Sequence, residues 1–326
     1  MMKTKSVFFI MMIFGTMITI SSNNWISMWM GLELNMMSFI PLIYKKSSKS
    51  SEAGMMYFLI QSMSSMILMF SLLMSNMWMD QNKYFIWLIG MSLLIKLGAA
   101  PFHMWLPEML TKLNWLNCFI LLTWQKLAPM MMINNLNYNS MMMITSIIIS
   151  VIMGAIGGLN QVSLRKIMGY SSINHLGWML SMSKIQNNWI IYLTIYSVIT
   201  LMICMMFNNY NMYYINQINM INLSMTEKLS LTMNMLSLGG LPPFLGFLSK
   251  WIVINTLMED KMIFMLIIMV MMSMITLFYY MRMISSMMLS FQSVNKWMVI
   301  NNNNNYPLYM MMINMSLPFY MILNFM

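Results

Sequence analysis

The chain consists of long apolar runs separated by short clusters of Asn, Ser, Lys and Glu. A helix needs about 20 mostly apolar residues to cross the hydrocarbon core of a bilayer. By that measure the pattern predicts eleven spans, at residues 6–21, 25–44, 53–75, 84–106, 115–133, 140–158, 166–183, 189–207, 229–257, 262–281 and 307–325. The Asn- and Tyr-rich stretch 208–228 reads as a loop, and so does the run of five Asn at 301–305. Residues 284–300 are amphipathic and are expected to lie on the membrane surface. Lys3 and Lys5 precede an apolar run in the manner of a secretory signal, but no small-residue cleavage site follows, so an uncleaved first helix is expected. The predicted fold is all-α: one polytopic membrane helix bundle of about 11 transmembrane helices spanning 1–326, with no polar module between the apolar stretches.

Composition supports lipid as the solvent. Charged residues make up 7% and hydrophobic residues 60% of the chain, against roughly 25% charged residues in soluble domains. The net charge of +10 does not point to nucleic acid, because the basic residues form no patch interleaved with stacking aromatics. They follow the topology instead. Numbering the spans in order puts Lys3, Lys5, Lys45, Lys46, Lys49, Lys112, Arg165, Lys166, Lys228, Arg282 and Lys296 on one side, and only Lys83, Lys184 and Lys261 on the other. The positive-inside rule then places the N-terminus on the inner side. The 56 Met residues, with abundant Asn and Ile, suit an AT-rich gene read with an extra Met codon, as in an organelle genome. In a mitochondrion the inner side is the matrix.

Metal and nucleotide chemistry find no footing. Cys118 and Cys204 are isolated in apolar stretches, and an iron–sulfur cluster or zinc site needs more ligands than two Cys and two His supply. No Gly-rich phosphate loop is present. Any redox centre associated with this chain is expected in another protein.

Subtracting the charges in connections and at helix ends, including Glu52, Asp80, Glu108, Glu227, Glu259 and Asp260, leaves Glu33, Lys96, Lys126 and Lys250 inside predicted spans. An ionisable residue at the bilayer centre costs about 2.5–3.5 kcal/mol on insertion scales and usually faces a bundle interior or a cavity. A single structural ion pair would account for Glu33 and one lysine but leaves two lysines without an acid, although a lysine near a helix end can snorkel. In general a dry site favours a neutral amine, and a nearby carboxylate opposes this. At 4 Å and an effective dielectric near 20 such a pair is worth about 4 kcal/mol. Making and breaking a Glu–Lys contact can therefore load and release a proton.

Two spans should be broken. Pro101 interrupts the fourth, and Pro242 and Pro243, beside Gly239, Gly240 and Gly246, interrupt the ninth. Breaks free backbone groups that lipid cannot satisfy, and they mark ion sites in transporters, often at matching places in inverted repeats. A lysine lies near each break, and spans four and nine cross in opposite directions, as inverted five-helix repeats require. His103 and His175 are either hydrogen-bonding residues between helices or members of a proton relay, since imidazole titrates near neutral pH. Trp105, Trp178 and Trp297 are expected at interfaces or in packing.

Five segments, in order, are WMGLELNMMSFIPL (Trp29–Leu42), KLGAAPFHMWLPE (Lys96–Glu108), LLTWQKLAP (Leu121–Pro129), SLRKIMGYSSINHLGW (Ser163–Trp178) and GGLPPFLGFLSKW (Gly239–Trp251). Together they resemble the antiporter-like membrane subunits of respiratory complex I, over essentially the whole chain. The resemblance implies two inverted five-helix repeats, about 1–135 and 138–300, followed by a final helix at 307–325. It implies that Glu33 pairs with Lys96, that Lys126 is a central lysine passing protons across the bundle, and that Lys250 is the distal lysine. It also implies a mitochondrial inner-membrane location and membrane-arm partners, chains 4 and 4L and accessory subunits, besides lipids. NADH, FMN, iron–sulfur clusters and ubiquinone would be bound by other subunits, with no cofactor in this chain. The wider family has three more N-terminal helices; this chain begins at their fourth, a shortening shared by animal members, and an accessory protein is expected over the surface so exposed. Two other readings use the same residues: a sodium–proton antiporter subunit of the related multisubunit type, and a spacer between pump subunits whose buried charges only pack.

Overall fold

A computed structural model describes residues 2–44, 47–77, 82–136, 140–183, 188–221, 223–289 and 306–316. The described residues form fifteen helices. In the first part of the chain these are α1 (Met2–Ser21), α2 (Trp25–Ile43), α3 (Ser48–Met77), α4 (Asn82–Leu97), α5 (Trp105–Lys112), α6 (Trp115–Leu122), α7 (Trp124–Asn134) and α8 (Ser140–Gly158). They are followed by α9 (Leu164–Met182), α10 (Trp189–Asn209), α11 (Ile215–Met220), α12 (Met225–Gly239), α13 (Leu245–Glu259), α14 (Ile263–Leu289) and α15 (Tyr306–Asn314). The chain divides into two compact units, Met1–Ser150 and Val151–Met326.

In the first unit, α1 and α2 pack closely because glycines face each other. A Cβ on Gly15 would lie 3.0 Å from both the Gly31 carbonyl oxygen and the Asn35 nitrogen. Small residues at a helix contact let backbones approach where lipid supplies no hydrophobic drive for association. The buried side of α2 runs through Met28, Leu32, Asn35, Met36, Phe39 and Leu42, one stripe at helical spacing. α3 packs against α4, and α4 against α7.

In the second unit, Gly154 of α8 allows the same close approach to α9, since a Cβ there would meet the Asn174 backbone nitrogen at 2.5 Å. Arg282 of α14 donates to the carbonyls of Leu159 at 2.5 Å and Gln161 at 2.7 Å, occupying carbonyls just past the end of α8. α12 packs on α10, α14 and α15, and fully buried Asn314 of α15 donates to fully buried Asn234 of α12.

Large apolar side chains such as Phe14, Met66, Phe264, Met271 and Phe278 point outward, as expected where the solvent is lipid. Among the described residues six helical stretches are long and apolar enough to cross a membrane: Trp25–Ile43, Ser48–Ser75, Trp115–Asn134, Met141–Gly158, Trp189–Asn209 and Ile263–Met288. The count of eleven is not reached by this measure for physical reasons. The apolar part of α1, Lys5–Ser21, is too short, the fourth and ninth predicted spans are cut by their breaks, α9 carries Arg165 and Lys166 in its first turn, and the last span is described only to Ser316.

The structure corrects four local expectations. The stretch 208–228 is not all loop: it holds α11 and the start of α12, where the Ser224 side chain accepts from the Glu227 backbone at 3.4 Å and the Glu227 carboxylate accepts from the Ser224 backbone at 2.8 Å. Of the amphipathic stretch 284–300, residues 284–289 continue α14, and residues 290–300 lie outside the described residues. The fifth span, expected to be continuous, is divided at Thr123. The break in the fourth begins at Gly98, which takes a left-handed φ of 69°, three residues before Pro101. Lys45, Lys46, Asp80, Lys184, Lys296, Trp297 and the run 301–305 lie outside the described residues.

Candidate functional site

The first unit encloses a small polar cavity between α2, α3, α4, α5, α6 and α7. Its volume of about 20 Å³ is enough to hold a water. Lys96 and Lys126 both line it, with Asn35, Tyr57, Gln61, Gln125 and Trp105. The two lysines are buried, 7% and 2% exposed respectively, so neither reaches lipid headgroups or bulk water by snorkelling.

Local breaks position both amines. Lys96 is in the last turn of α4, and the helix stops one residue later because Gly98 turns left-handed. The next helix, α5, starts at Trp105, and residues 98–104 form an irregular crossing. Lys126 stands in the first turn of α7, and its backbone N–H donates to the Thr123 carbonyl at 3.2 Å. Thr123 has φ −119° and ψ −68°, and its hydroxyl turns back to the Phe119 carbonyl at 2.7 Å. Each lysine thus sits beside backbone that has left the regular ladder.

Uncharged polar groups connect the walls of the cavity. The Tyr57 hydroxyl donates to Gln125 Oε1 at 3.1 Å, and Gln125 Nε2 donates to Asn35 Oδ1 at 3.0 Å and to Met12 Sδ at 3.3 Å. Gln61 Nε2 donates to the Lys96 carbonyl at 3.2 Å, taking an acceptor that the end of α4 leaves open. Tyr57 and Gln61 are four residues apart and share a face of α3.

Glu33 stands off to one side. It is half-buried, one carboxylate oxygen is buried without a hydrogen-bond partner, and it makes no direct ion pair with Lys96. It does act electrostatically on both Lys96 and Tyr57. The helix phase explains the offset: Leu32 and Asn35 face the cavity, and a residue one position on from Leu32 points about 100° away. Among the described residues the direct ion pair is between Lys112 and Glu52, toward the surface.

His103 lies in the first break, buried, with Nδ1 3.2 Å from the Pro101 carbonyl oxygen. A carbonyl only accepts, so Nδ1 carries the proton in this contact. The ring thereby satisfies a carbonyl freed by the break, and it is not among the residues lining the cavity.

The second unit builds its own lysine site on the other break. Gly240 ends α12 in the left-handed region, with φ 75°, and α13 starts at Leu245. Lys250, 5% exposed, folds back so that its Nζ donates to the Gly239 carbonyl at 2.6 Å and lies 5.6 Å from the centre of the Trp178 ring. Its stem occupies the space that a side chain at Gly240 would fill. His175 of α9 is also buried, with Nδ1 2.7 Å from the Tyr192 hydroxyl.

Two of the six residues picked from the sequence, Lys96 and Lys126, therefore share one cavity, while Lys250 and His175 are buried in the second unit with separate partners. Sequence reasoning missed Asn35, Tyr57, Gln61, Gln125 and Tyr192. The nearest available signal was polar residues at helical spacing within apolar spans, such as Tyr57 with Gln61.

Known proteins with this architecture agree on its class. A family model described as NADH:quinone oxidoreductase/Mrp antiporter, transmembrane, matches residues 22–276. The chain is 47% identical over 315 residues to NADH-ubiquinone oxidoreductase chain 2 of Anopheles gambiae, covering 93% of this chain and 91% of that one. It is 46% identical over 322 residues to the same-named protein of Aedes aegypti, covering 95% and 94%. A chain of respiratory complex I from Thermus thermophilus superposes with a TM-score of 0.84 at 18% identity, over 96% of this chain and 77% of that one. A chain of the Mrp complex from Dietzia sp. superposes with a TM-score of 0.76 at 14% identity, over 87% and 60%.

Proposed function

Because the chain belongs to the family of NADH-ubiquinone oxidoreductase chain 2, we propose that its buried lysines carry protons across the membrane while other subunits carry the electrons. The chain is a multi-pass membrane subunit of respiratory complex I. The observation that carries the proposal is the cavity in the first unit, where two buried amines, Lys96 and Lys126, share one polar space large enough for water. Two like charges around one cavity disfavour each other. A proton held by one lysine therefore weakens the hold of the other, and a relay needs that property.

Glu33 biases the relay without gripping it. A direct Glu–Lys pair would be worth about 4 kcal/mol, but no direct pair forms here, so its influence on Lys96 is smaller. Moving one charge against about 150 mV costs about 3.5 kcal/mol. Glu33 alone falls short of that, so the work is shared among several charges, with Lys250 serving the second unit. His103 holds the break in the first unit, and His175 is a relay member in the second. The two units correspond in role to two inverted repeats, each with a broken helix and a lysine beside it.

NADH, FMN, iron–sulfur clusters and ubiquinone belong to other subunits in this reading, and the immediate partners are chains 4 and 4L with accessory subunits. The site is the mitochondrial inner membrane with the N-terminus in the matrix, supported by the excess of Lys and Arg on one side of the predicted topology. The test is Lys126→Met in vesicles carrying the assembled complex. The proposal expects fewer protons translocated per NADH oxidised. Unchanged pumping in a fully assembled complex overturns it and leaves the chain as a spacer.

A further inference from the structure

The last described helix, α15, is tied to the broken ninth span by a buried amide pair that the lysine sites leave unused. Asn234 of α12 and Asn314 of α15 are both fully buried. Asn314 Nδ2 donates to Asn234 Oδ1, and Asn234 Nδ2 reaches the Met310 sulfur at 3.8 Å. Met310 and Asn314 are four residues apart and share one face of α15, while Leu308, Tyr309, Met312 and Ile313 point outward. As a source of stability the pair is weak. A thioether is a poor acceptor, and Asn314 Oδ1 is buried without a hydrogen-bond partner. Leucine at both positions would fill similar space without burying amides.

What the pair supplies is register. A buried Asn fixes which residues of two helices face each other, as a single Asn does in a coiled coil, because a slip of either helix parts the amides. Register matters here because of what stands at the end of α12. Gly239, five residues past Asn234, offers the carbonyl to which Lys250 Nζ donates at 2.6 Å. The backbone between them is one hydrogen-bonded piece. It is helical through Gly239, the Ser237 hydroxyl donates to the Asn234 carbonyl at 2.7 Å, and the Gly240 N–H donates to the Ser237 carbonyl at 3.0 Å. A one-residue slip of α12 would move the Gly239 carbonyl about 1.5 Å along the helix axis and turn it by about 100°. That takes it out of bonding reach of the amine.

We propose that Asn314 is a positioning residue for Lys250. Its bond to Asn234 fixes the register of α12 and so holds the Gly239 carbonyl where the Lys250 amine meets it. The inference rests on the lysine relay described above and gives α15 a part in it. Asn314 itself touches neither the amine nor its acceptor carbonyl; it acts through the half-helix that ends at Gly239.

The experiment compares three variants of the complex with the unaltered one: Asn234→Leu paired with Asn314→Leu, Lys250→Met, and all three substitutions together. Assembly is read on native gels, the thermal midpoint in detergent, and proton translocation per NADH oxidised in sealed vesicles. Removing both partners of a buried hydrogen bond is nearly neutral or stabilising, so the paired replacement is expected to keep or raise the midpoint. It is expected to lower translocation by about threefold, the effect of one interhelical hydrogen bond on an equilibrium. With Lys250→Met added, translocation should equal that of Lys250→Met alone, because the pair acts through Lys250. A midpoint and translocation that fall together make the pair a packing contact and overturn the proposal. Losses that add to those of Lys250→Met also overturn it. If the paired replacement pumps normally while Lys250→Met does not, the role of Asn314 is wrong and the lysine relay stands. If neither lowers translocation, the lysine relay fails as well. Should the paired replacement not assemble, Asn314→Ala, which leaves α12 unaltered, is judged by the same readings.

Discussion

Gly246 is where the second break is held shut, and replacing it with alanine perturbs the Lys250 site without touching a charged group. The α-carbon of Gly246, in the first turn of α13, abuts the backbone carbonyl of Ser237 on α12 so closely that an added Cβ would overlap the Ser237 oxygen and lie 2.6 Å from its carbonyl carbon. The obstacle is backbone, so it does not move aside as the end of a side chain would. Overpacking in a well-packed interior costs typically 1–3 kcal/mol, and a backbone obstacle argues for the upper end, about 3 kcal/mol. That corresponds to roughly a hundredfold change in an equilibrium constant. The two helices must separate, and the 2.6 Å bond from Lys250 Nζ to the Gly239 carbonyl lengthens or is lost. Gly54→Ala is the matched control, because nothing lies within 4 Å of its Cβ position and it sits inside α3. There alanine is neutral or favourable by up to about 1 kcal/mol through helix propensity. The assay is the amount of assembled complex on native gels and its thermal midpoint in detergent. Gly246→Ala should lower both, and Gly54→Ala neither. Equal behaviour of the two variants refutes the close-packing argument.

Two further outcomes follow from the same geometry. Tyr57→Phe removes the donor to Gln125 Oε1 and should cost about 1 kcal/mol. It should lower proton translocation while leaving the assembled amount unchanged; normal pumping would remove Tyr57 from the site. Arg282→Met strips the donors from the Leu159 and Gln161 carbonyls, and bonds to a charged group are worth about 1.5–3 kcal/mol each. Its complex should therefore melt earlier, and an unchanged melting temperature would show that those carbonyls find other donors.

The breaks and charges were legible in the sequence because proline and glycine interrupt helices through their own backbone chemistry, and because a charge inside an apolar run stands out. Pro101 and the Pro242–Pro243 pair marked their breaks, although the first begins at Gly98. The division at Thr123 carried no such mark, since neither proline nor glycine stands there and apolar residues resume beyond Lys126. The cavity lining was mostly hidden for a related reason. Asn35, Tyr57, Gln61 and Gln125 are uncharged, and in a helix they look like residues that merely bond between neighbours. Their convergence depends on how α2, α3 and α7 pack. Glu33 shows the converse: its charge made it conspicuous, but its position off the cavity was hidden, because that depends on the phase of α2, which turns Asn35 toward the cavity. The helix start at Met225 was readable from Ser224 and Glu227, a capping box in the sequence, and the polarity of the stretch before it concealed this.

The central claim is that the buried amine of Lys96, facing the same cavity as Lys126, moves protons rather than holding helices together. The most direct measurement is proton translocation per NADH oxidised in vesicles carrying the complex with Lys96→Met, a side chain of similar length without the charge, after native gels have established full assembly. The account predicts an assembled complex with lowered translocation per NADH. An assembled complex that pumps at the unaltered ratio would contradict it and make the buried charges of this chain structural.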